Sequence, residues 1–195
     1  MGKRLVVIGG VAAGMSAAAK AKRVDRELEA VVYERGPYIS YAACGMPYYI
    51  AGDVPDYQDL IVRTPAQMAE RGVEVHVQHA VTAIDAVAHT VTVQDHTDSG
   101  GERTFTQEWE KLVIATGARA ARPSLPGVDL PGVFALRALP HGMALRRFLD
   151  EQKPRRAIVV GGGYIGVEMA ETFRRLGLDV KMLIRSGQVM RTTLD

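Results

Sequence analysis

The chain has 195 residues, a formal net charge of +2 and one cysteine. So small a charge argues against a nucleic-acid or acidic-membrane partner, and one cysteine excludes an internal disulfide framework and agrees with a reducing cytosol. The length suits one large domain or two small ones, and no apolar run is long enough to span a bilayer.

Leu5-Val6-Val7-Ile8 is short, continuous and β-branched, and Gly9-Gly10 stops it, so it reads as a buried parallel strand. Met1-Gly2-Lys3-Arg4, this run and Ala17-Ala18-Ala19 together imitate a signal peptide. The run is too strand-like for that role and opens a larger unit. An alanine-rich helix follows over residues 13–26 and a second strand over 28–34, which makes a β-α-β unit and an α/β fold with a parallel sheet. Residues 36–52, with Pro37 and Pro47, form a loop or short helix. A short helix covers 65–71 and ends at Gly72. Strands are predicted over 73–77, 81–84 and 90–94, a turn at Asp98-Ser99-Gly100-Gly101, and a returning strand over 104–109. A buried strand over 112–116 ends at Gly117. The Pro-rich segment 121–140, with Leu125-Pro126-Gly127 and Leu130-Pro131-Gly132, connects two domains. A helix over 142–151 then precedes a second β-α-β unit: strand 157–160, helix 164–175, strand 180–184. One such unit has too few strands to cover both faces of its sheet. The second domain is therefore expected to be incomplete, and the chain to be the N-terminal part of a longer protein.

Both strand-to-helix junctions carry glycine fingerprints for a dinucleotide. The first is Gly9-Gly10-Val11-Ala12-Ala13-Gly14, with Val11 in place of the middle glycine; Glu34 ends the next strand, where an acid meets a ribose hydroxyl. The plain alternative is a tight α/β turn without a ligand. The second, Gly161-Gly162-Gly163-Tyr164-Ile165-Gly166, is complete. Gly161 makes the turn, Gly163 admits the pyrophosphate and Gly166 allows close packing, with the pyrophosphate at the helix N-terminus. Its acid position holds Ile184, followed by Arg185. That guanidinium either pairs with a 2′-phosphate, favouring NADPH or dual use, or is merely solvated.

Cys44 stands in Ser40-Tyr41-Ala42-Ala43-Cys44-Gly45-Met46-Pro47-Tyr48-Tyr49. A lone cysteine is often a small core residue. Here Gly45 and Pro47 predict a helix beginning near the thiol, and a helix N-terminus lowers a thiol's pKa. Without a second cysteine, its redox chemistry runs through a sulfenic acid or a mixed disulfide.

Together, the two fingerprints, the stretch around Cys44, Ala115-Thr116-Gly117-Ala118, Leu125-Pro126-Gly127 and residues 161–171 resemble the single-cysteine branch of the FAD-dependent pyridine nucleotide–disulfide oxidoreductases. That branch includes coenzyme A disulfide reductases, persulfide reductases, NADH oxidases and NADH peroxidases. The resemblance implies a Rossmann-like three-layer FAD-binding domain over residues 1–150 and the start of a second Rossmann-like NAD(P)-binding domain over 151–195. It places FAD on Gly9, Gly10, Val11, Ala12, Ala13, Gly14, Glu34, Arg35, Val81, Thr116 and Gly117. It places NAD(P)H on Gly161, Gly163, Tyr164, Ile165, Gly166, Glu168 and Arg185, with Tyr164 covering the flavin and Glu168 behind the nicotinamide. Cys44 is the implied redox residue, with no metal.

Oxidases and peroxidases of this branch carry a histidine inside the first fingerprint. Ala12 holds that place here, as small residues do in the coenzyme A disulfide reductases. Ser16, Lys20 and Arg23 share a helix face by i, i+4, i+7 spacing, and Lys22 and Arg26 add charge nearby. The stripe is either a solvated face or a seat for coenzyme A phosphates; the resemblance favours the second and adds Ser40 and Ala43 as substrate contacts. Asn is usual before the cysteine, so Ala43 loses a polar contact. The expected activity is reduction of coenzyme A disulfide or a persulfide by a cytoplasmic enzyme, homodimeric at full length. An NADH oxidase or peroxidase, or an inactive truncated fragment, are the competing expectations.

Overall fold

A computed structural model describes residues 3–97 and 103–191. In chain order its elements are β1 (Arg4–Ile8), α1 (Ala12–Val24), β2 (Glu29–Glu34), a 3-10 turn (Ala43–Gly45), α2 (Met46–Ala51), a second 3-10 turn (Tyr57–Leu60) and α3 (Pro65–Ala69). Then come β3 (Val73–Val77), β4 (His79–Asp85), β5 (Thr90–Asp95), β6 (Arg103–Glu108), β7 (Lys111–Ile114), α4 (Leu139–Gln152), β8 (Arg156–Val160), α5 (Tyr164–Arg175) and β9 (Asp179–Leu183). The turn predicted at residues 98–101 lies outside the described residues. Contacts divide the chain into two compact units, Met1–Ala42 with Ile61–Ala118, and Ala43–Leu60 with Arg119–Asp195. These units follow packing; the boundary expected near residue 150 follows cofactor motifs.

The first unit has three layers. Its central sheet runs β3-β2-β1-β7, every pair parallel, with Val6 opposite both Val31 and Leu112. Alternate residues of a strand face opposite sides, so a sheet covered on both faces reads as unbroken apolar sequence. Leu5, Val7, Ala30 and Val32 pack with Met15 and Ala18 of α1 and Met68 of α3. Val6, Ile8, Val31 and Tyr33 pack with Val91 and Val93 of the antiparallel layer β4-β5-β6. Burial pushes the Tyr33 phenol up to about 12, with the Glu74 charge adding to it, and the phenol donates to Gln107 Oε1 at 3.0 Å. Thr64 and Gln67 build a reciprocal cap on α3, with Pro65 in its first turn.

The second unit pairs β8 with β9 in parallel. Ile50, Leu145, Val159, Met169, Phe173 and Leu178 form its core on one face. On the other, Ile158, Val160 and Leu183 are 64%, 78% and 57% exposed. Burial on both faces is met in β1. Strand β7, expected as a buried strand over 112–116, spans Lys111–Ile114 at the end of its sheet, with Ile114 62% exposed. In the second unit the described residues supply a single covering layer, as expected of a sheet with too few strands.

Helix α2 is short, so its partners fix it. Gly52 takes φ +91° after it, and the Gly52 and Asp53 N–H groups donate back to Tyr49 O and Tyr48 O at 3.1 and 2.9 Å. Arg146 of α4 donates to Tyr49 O at 2.8 Å, and Thr172 of α5 donates to Pro47 O at 3.5 Å. Arg175 of α5 grips Asp53 with two bonds of 2.7 Å.

Two tests follow from this packing. Ile39 is fully buried and lies under Gly10, so Ile39→Ala should cost about 2–5 kcal/mol in a urea titration. The Arg175 guanidinium holds the Asp53 carboxyl below its usual range. A depressed folded-state pKa gives stability that is present above the free value of about 3.9 and lost as pH falls through the lowered one. The melting temperature of Asp53→Asn should thus lie below that of the parent at pH 6, and the gap should close in acid below about pH 4.

Candidate functional site

The first glycine turn is closed by backbone alone. Gly9 has φ +105°, and its N–H donates to Tyr33 O at 2.8 Å. A Cβ on Gly9 would strike Ala115 O, which puts the end of β7 and the following Thr116 against the turn. A Cβ on Gly14 would strike Gly9 O, so α1 approaches β1 as closely as backbone allows. Val11 has a negative φ, −98°, so the middle position does not need glycine for a left-handed backbone. No side chain caps α1 and no acid stands in its first turn. The free N–H groups of that turn suit a phosphate. Glu34 accepts from Gly10 N–H through Oε2 and from Gly36 N–H through Oε1, both at 2.7 Å. A carboxylate offers about four acceptor sites, so two remain for ribose hydroxyls. The cradle therefore fits a dinucleotide such as FAD. Around it, Ala13 and Arg35 are exposed, Thr116 and Gly117 (φ +67°) follow β7, and Val81 sits half-buried at a register shift in β4.

The second turn repeats this geometry. Gly161 has φ +113° and donates to Leu183 O at 2.9 Å; a Cβ on Gly166 would strike Gly161 O. Ser40 N–H donates to Gly10 O at 2.9 Å, and Met190 N–H donates to Gly162 O at 2.7 Å; both donors have left-handed φ, +45° and +55°. Against Gly10 lies Glu34; against Gly162, in the matching place, lies Ile184, whose Cγ2 would be 2.7 Å from an added Cβ. A Cβ on Gly163 would meet nothing within 4 Å, which leaves the approach to this turn open to a pyrophosphate. Helix α5 also lacks a side-chain cap and an acid in its first turn. Tyr164, Ile165, Glu168 and Arg185 are all exposed.

Cys44 is exposed, in the 3-10 turn that leads into α2. The helix predicted around it begins two residues later, at Met46, with Gly45 as its N-cap and Pro47 in its first turn. Cys44 and Ala43 belong to the second unit, whereas Ser16, Lys20, Arg23 and Ser40 belong to the first.

The first unit also holds a cleft of ≈ 940 Å³. Val11 and Ala12 of the glycine turn line it, as do Ser16, Arg23, Arg26 and Ser40. Lys20, expected among them, is exposed elsewhere on α1 and is not in the lining. Lys22 does line it, but its ammonium is held by Arg26 O and Leu28 O at 2.7 and 2.8 Å, so it secures the turn after α1. Arg63 and Arg71, which flank α3, complete the basic wall, with Glu70 as the acid in it. No helix spacing could reveal them, because they reach α1 only through the fold. The lining contains no histidine. Among the described residues, no group of three His, Cys, Asp or Glu side chains could hold a metal ion, and no helix is long and apolar enough to cross a membrane.

The family model for pyridine nucleotide-disulphide oxidoreductases matches residues 3–195. A curated relative, the NAD(P)H coenzyme A polysulfide/persulfide reductase of Pyrococcus horikoshii, is 38% identical over 100% of this chain and 42% of its own length. The chain thus spans about two fifths of the relatives it matches. The crystal structure of reduced Bacillus anthracis CoADR-RHD superposes with a TM-score of 0.92 at 38% identity, over 97% of this chain and 34% of that one. An engineered water-forming NADPH oxidase, made from LbNOX and bound to NADPH, gives a TM-score of 0.89 at 34% identity, over 97% of this chain and 41% of that one. Two glycine turns of one design, in a chain matched along nearly its whole length, show that this protein belongs to the pyridine nucleotide-disulphide oxidoreductase family.

Proposed function

We propose that the chain carries nucleotide-binding parts of an FAD-dependent oxidoreductase that passes electrons from NADPH or NADH, through Cys44, to coenzyme A disulfide or a related persulfide. Residues 1–150 serve FAD and residues 151–195 serve NAD(P)H. In the first, residues 9–14 and Glu34 hold the pyrophosphate and ribose, with Arg35, Val81, Thr116 and Gly117 beside them. In the second, Gly161, Gly163 and Gly166 admit the pyrophosphate, Tyr164, Ile165 and Glu168 serve the nicotinamide end, and Arg185 serves the adenosine end. When bound, the flavin relays an electron pair from the nicotinamide to a disulfide sulfur. Cys44 thiolate attacks one sulfur of coenzyme A disulfide; a bond forms between Cys44 and one coenzyme A, and the other leaves as thiolate. Reduction of that mixed disulfide by two electrons restores Cys44 and frees the second coenzyme A thiol. Exposure of Cys44 suits a nucleophile that must meet a bulky disulfide.

The observation that carries the coenzyme A reading is the cleft in which Val11 and Ala12 of the nucleotide turn share a wall with Arg23, Arg26, Arg63 and Arg71. Planar guanidiniums bind phosphates with two parallel bonds, and coenzyme A is rich in phosphate. An oxidase or peroxidase is the second reading, supported by likeness to the NADPH oxidase. Ala12 lines the cleft where such chemistry calls for a histidine, which supports the first.

NADPH is the favoured donor. The engineered oxidase differs from LbNOX by five substitutions. Three are consecutive, Asp to Ala, Ala to Arg and Met to Ser, and a Pro to Arg follows five positions after the last. This chain has a non-acid at Ile184, then Arg185 and Ser186, and Arg191 five positions after Ser186.

Assays of the flavin-loaded protein with coenzyme A disulfide, peroxide and oxygen separate the readings. Coenzyme A disulfide should be the best substrate, and Cys44→Ser should reduce it only at background rate; normal turnover in that variant ends the mechanism. Arg71→Ala should raise the KM for coenzyme A disulfide about tenfold while kcat changes little, as loss of a phosphate contact used equally in ground and transition states requires.

A further inference from the structure

We propose that Arg146 and Arg175 are positioning residues for Cys44: two guanidiniums from two different helices close the far end of α2, and so hold the 3-10 turn that presents the thiol. The inference deepens the redox reading of Cys44 and rests on it. All of its parts lie in the second unit. Cys44 stands two residues ahead of α2, which covers only Met46–Ala51. Six residues make about 9 Å of helix, too short to persist alone. Met46, Pro47 and Ile50 are buried and hold one face of it. The last carbonyls of a helix have no partner within it and take donors from outside.

Here those donors come from the closing turn and from two arginines. Gly52 N–H reaches Tyr49 O at 3.1 Å, and the N–H groups of Asp53 and Val54 reach Tyr48 O at 2.9 and 3.3 Å, so Asp53 is itself part of the closing turn. Arg146 Nη1 of α4 donates to Tyr49 O at 2.8 Å. Its Nε donates to Asp150 Oδ2 at 2.8 Å, one turn further along α4, which aims the guanidinium. A Cβ on Gly52 would lie 3.0 Å from that Nη1, so the glycine leaves the arginine its room. Arg175 of α5 donates to both carboxylate oxygens of Asp53 at 2.7 Å. Its neighbour Arg174 donates to Leu178 O at 3.1 Å and closes α5 itself, whereas Arg175 reaches across to α2. The Asp53 and Arg175 side chains are 39% and 49% exposed, and such a pair adds little to global stability. It acts instead against local opening of α2, whose own bonds are few. A thiol that attacks a disulfide needs a fixed approach, and the backbone behind it supplies that.

The test uses Cys44 as the one cysteine of the chain. A nitroxide spin label attached to it reads its mobility by electron paramagnetic resonance, in the full chain of the parent, Arg146→Gln, Arg175→Gln and the exchanged pair Asp53→Arg with Arg175→Asp. Both glutamine variants should sharpen the spectrum. Hydrogen exchange at the amides of Gly52, Asp53 and Val54 should speed up about fivefold, while the melting temperature moves little. The exchanged pair should restore the parent spectrum. In the flavin-loaded protein, kcat for coenzyme A disulfide should fall about threefold in the glutamine variants with KM within twofold, because a misplaced thiol is felt in the chemical step and not in binding. A spectrum and exchange rates left unchanged by Arg146→Gln or by Arg175→Gln overturn the role of that residue. An exchanged pair as mobile as Arg175→Gln overturns the pairing with Asp53. A melting temperature that falls in step with the mobility makes the effect global and overturns positioning. Normal turnover in Cys44→Ser ends the redox reading and this inference with it, whatever the spectra show.

Discussion

Everything else in this fold depends on two places where a helix is drawn so near a strand that only hydrogen fits between them. Side chains at Gly14 and Gly166 would collide with the carbonyl oxygens of Gly9 and Gly161. Those two residues in turn have φ of +105° and +113°, which L side chains resist. The closeness has consequences in both directions. Toward the core, it brings Gly14 and the fully buried Ala18 of α1 against the sheet, with Met15 packed between them. Toward solvent, it leaves the first turns of α1 and α5 uncapped by side chains, with their N–H groups directed at the mouth of the turn. Packing and anion affinity are thus one constraint seen from two sides.

The same economy does not govern the thiol. A six-residue helix is too short to persist alone, because nucleation costs more than one turn of hydrogen bonds returns. Tertiary partners therefore define α2: Ile50 in the core of the second unit, Arg146 on its last carbonyls, and Arg175 on Asp53 beyond its end. Cys44 is exposed on a segment whose support is buried or ion-paired. That combination suits a nucleophile, which needs access at the sulfur and little freedom in the backbone behind it.

Local chemistry made most of the architecture legible. The unbroken apolar run of β1 announced burial on both faces, and the structure supplies α1 on one side and β5 on the other. Tyr164–Arg175 is helical over the predicted span, because a glycine turn opens it and Gly177, at φ +83°, lies just past its end. The thiol's helix was harder: Pro47 signalled a first turn but could not say that Cys44 would fall two residues short of it, in a 3-10 turn. In β7 the apolar run suggested a buried strand, yet Ile114 is exposed, since a run records the residues and not the layer that meets them. The basic cleft was half legible. Helix spacing put Ser16, Lys20 and Arg23 on one face; Ser16 and Arg23 line the cleft and Lys20 does not, while the carbonyls that hold Lys22 and the approach of Arg63 and Arg71 come only with the fold.

The two turns differ in the very positions that their shared backbone leaves free. Val11 occupies the middle position in one and Gly163 in the other; both have negative φ, so the choice reflects what approaches rather than what the chain can adopt. A valine there narrows one side of the approach and lines the neighbouring cleft, while a glycine leaves nothing within 4 Å. At the strand end, Glu34 ties its carboxylate to two backbone N–H groups and can still accept from a ribose, whereas Ile184 can accept from nothing. A hydroxyl set beside Ile184 would find no acceptor in that side chain. One backbone device, used twice, therefore differs between its two places by a few side chains at its rim. The turn beneath that rim keeps the same backbone in both places.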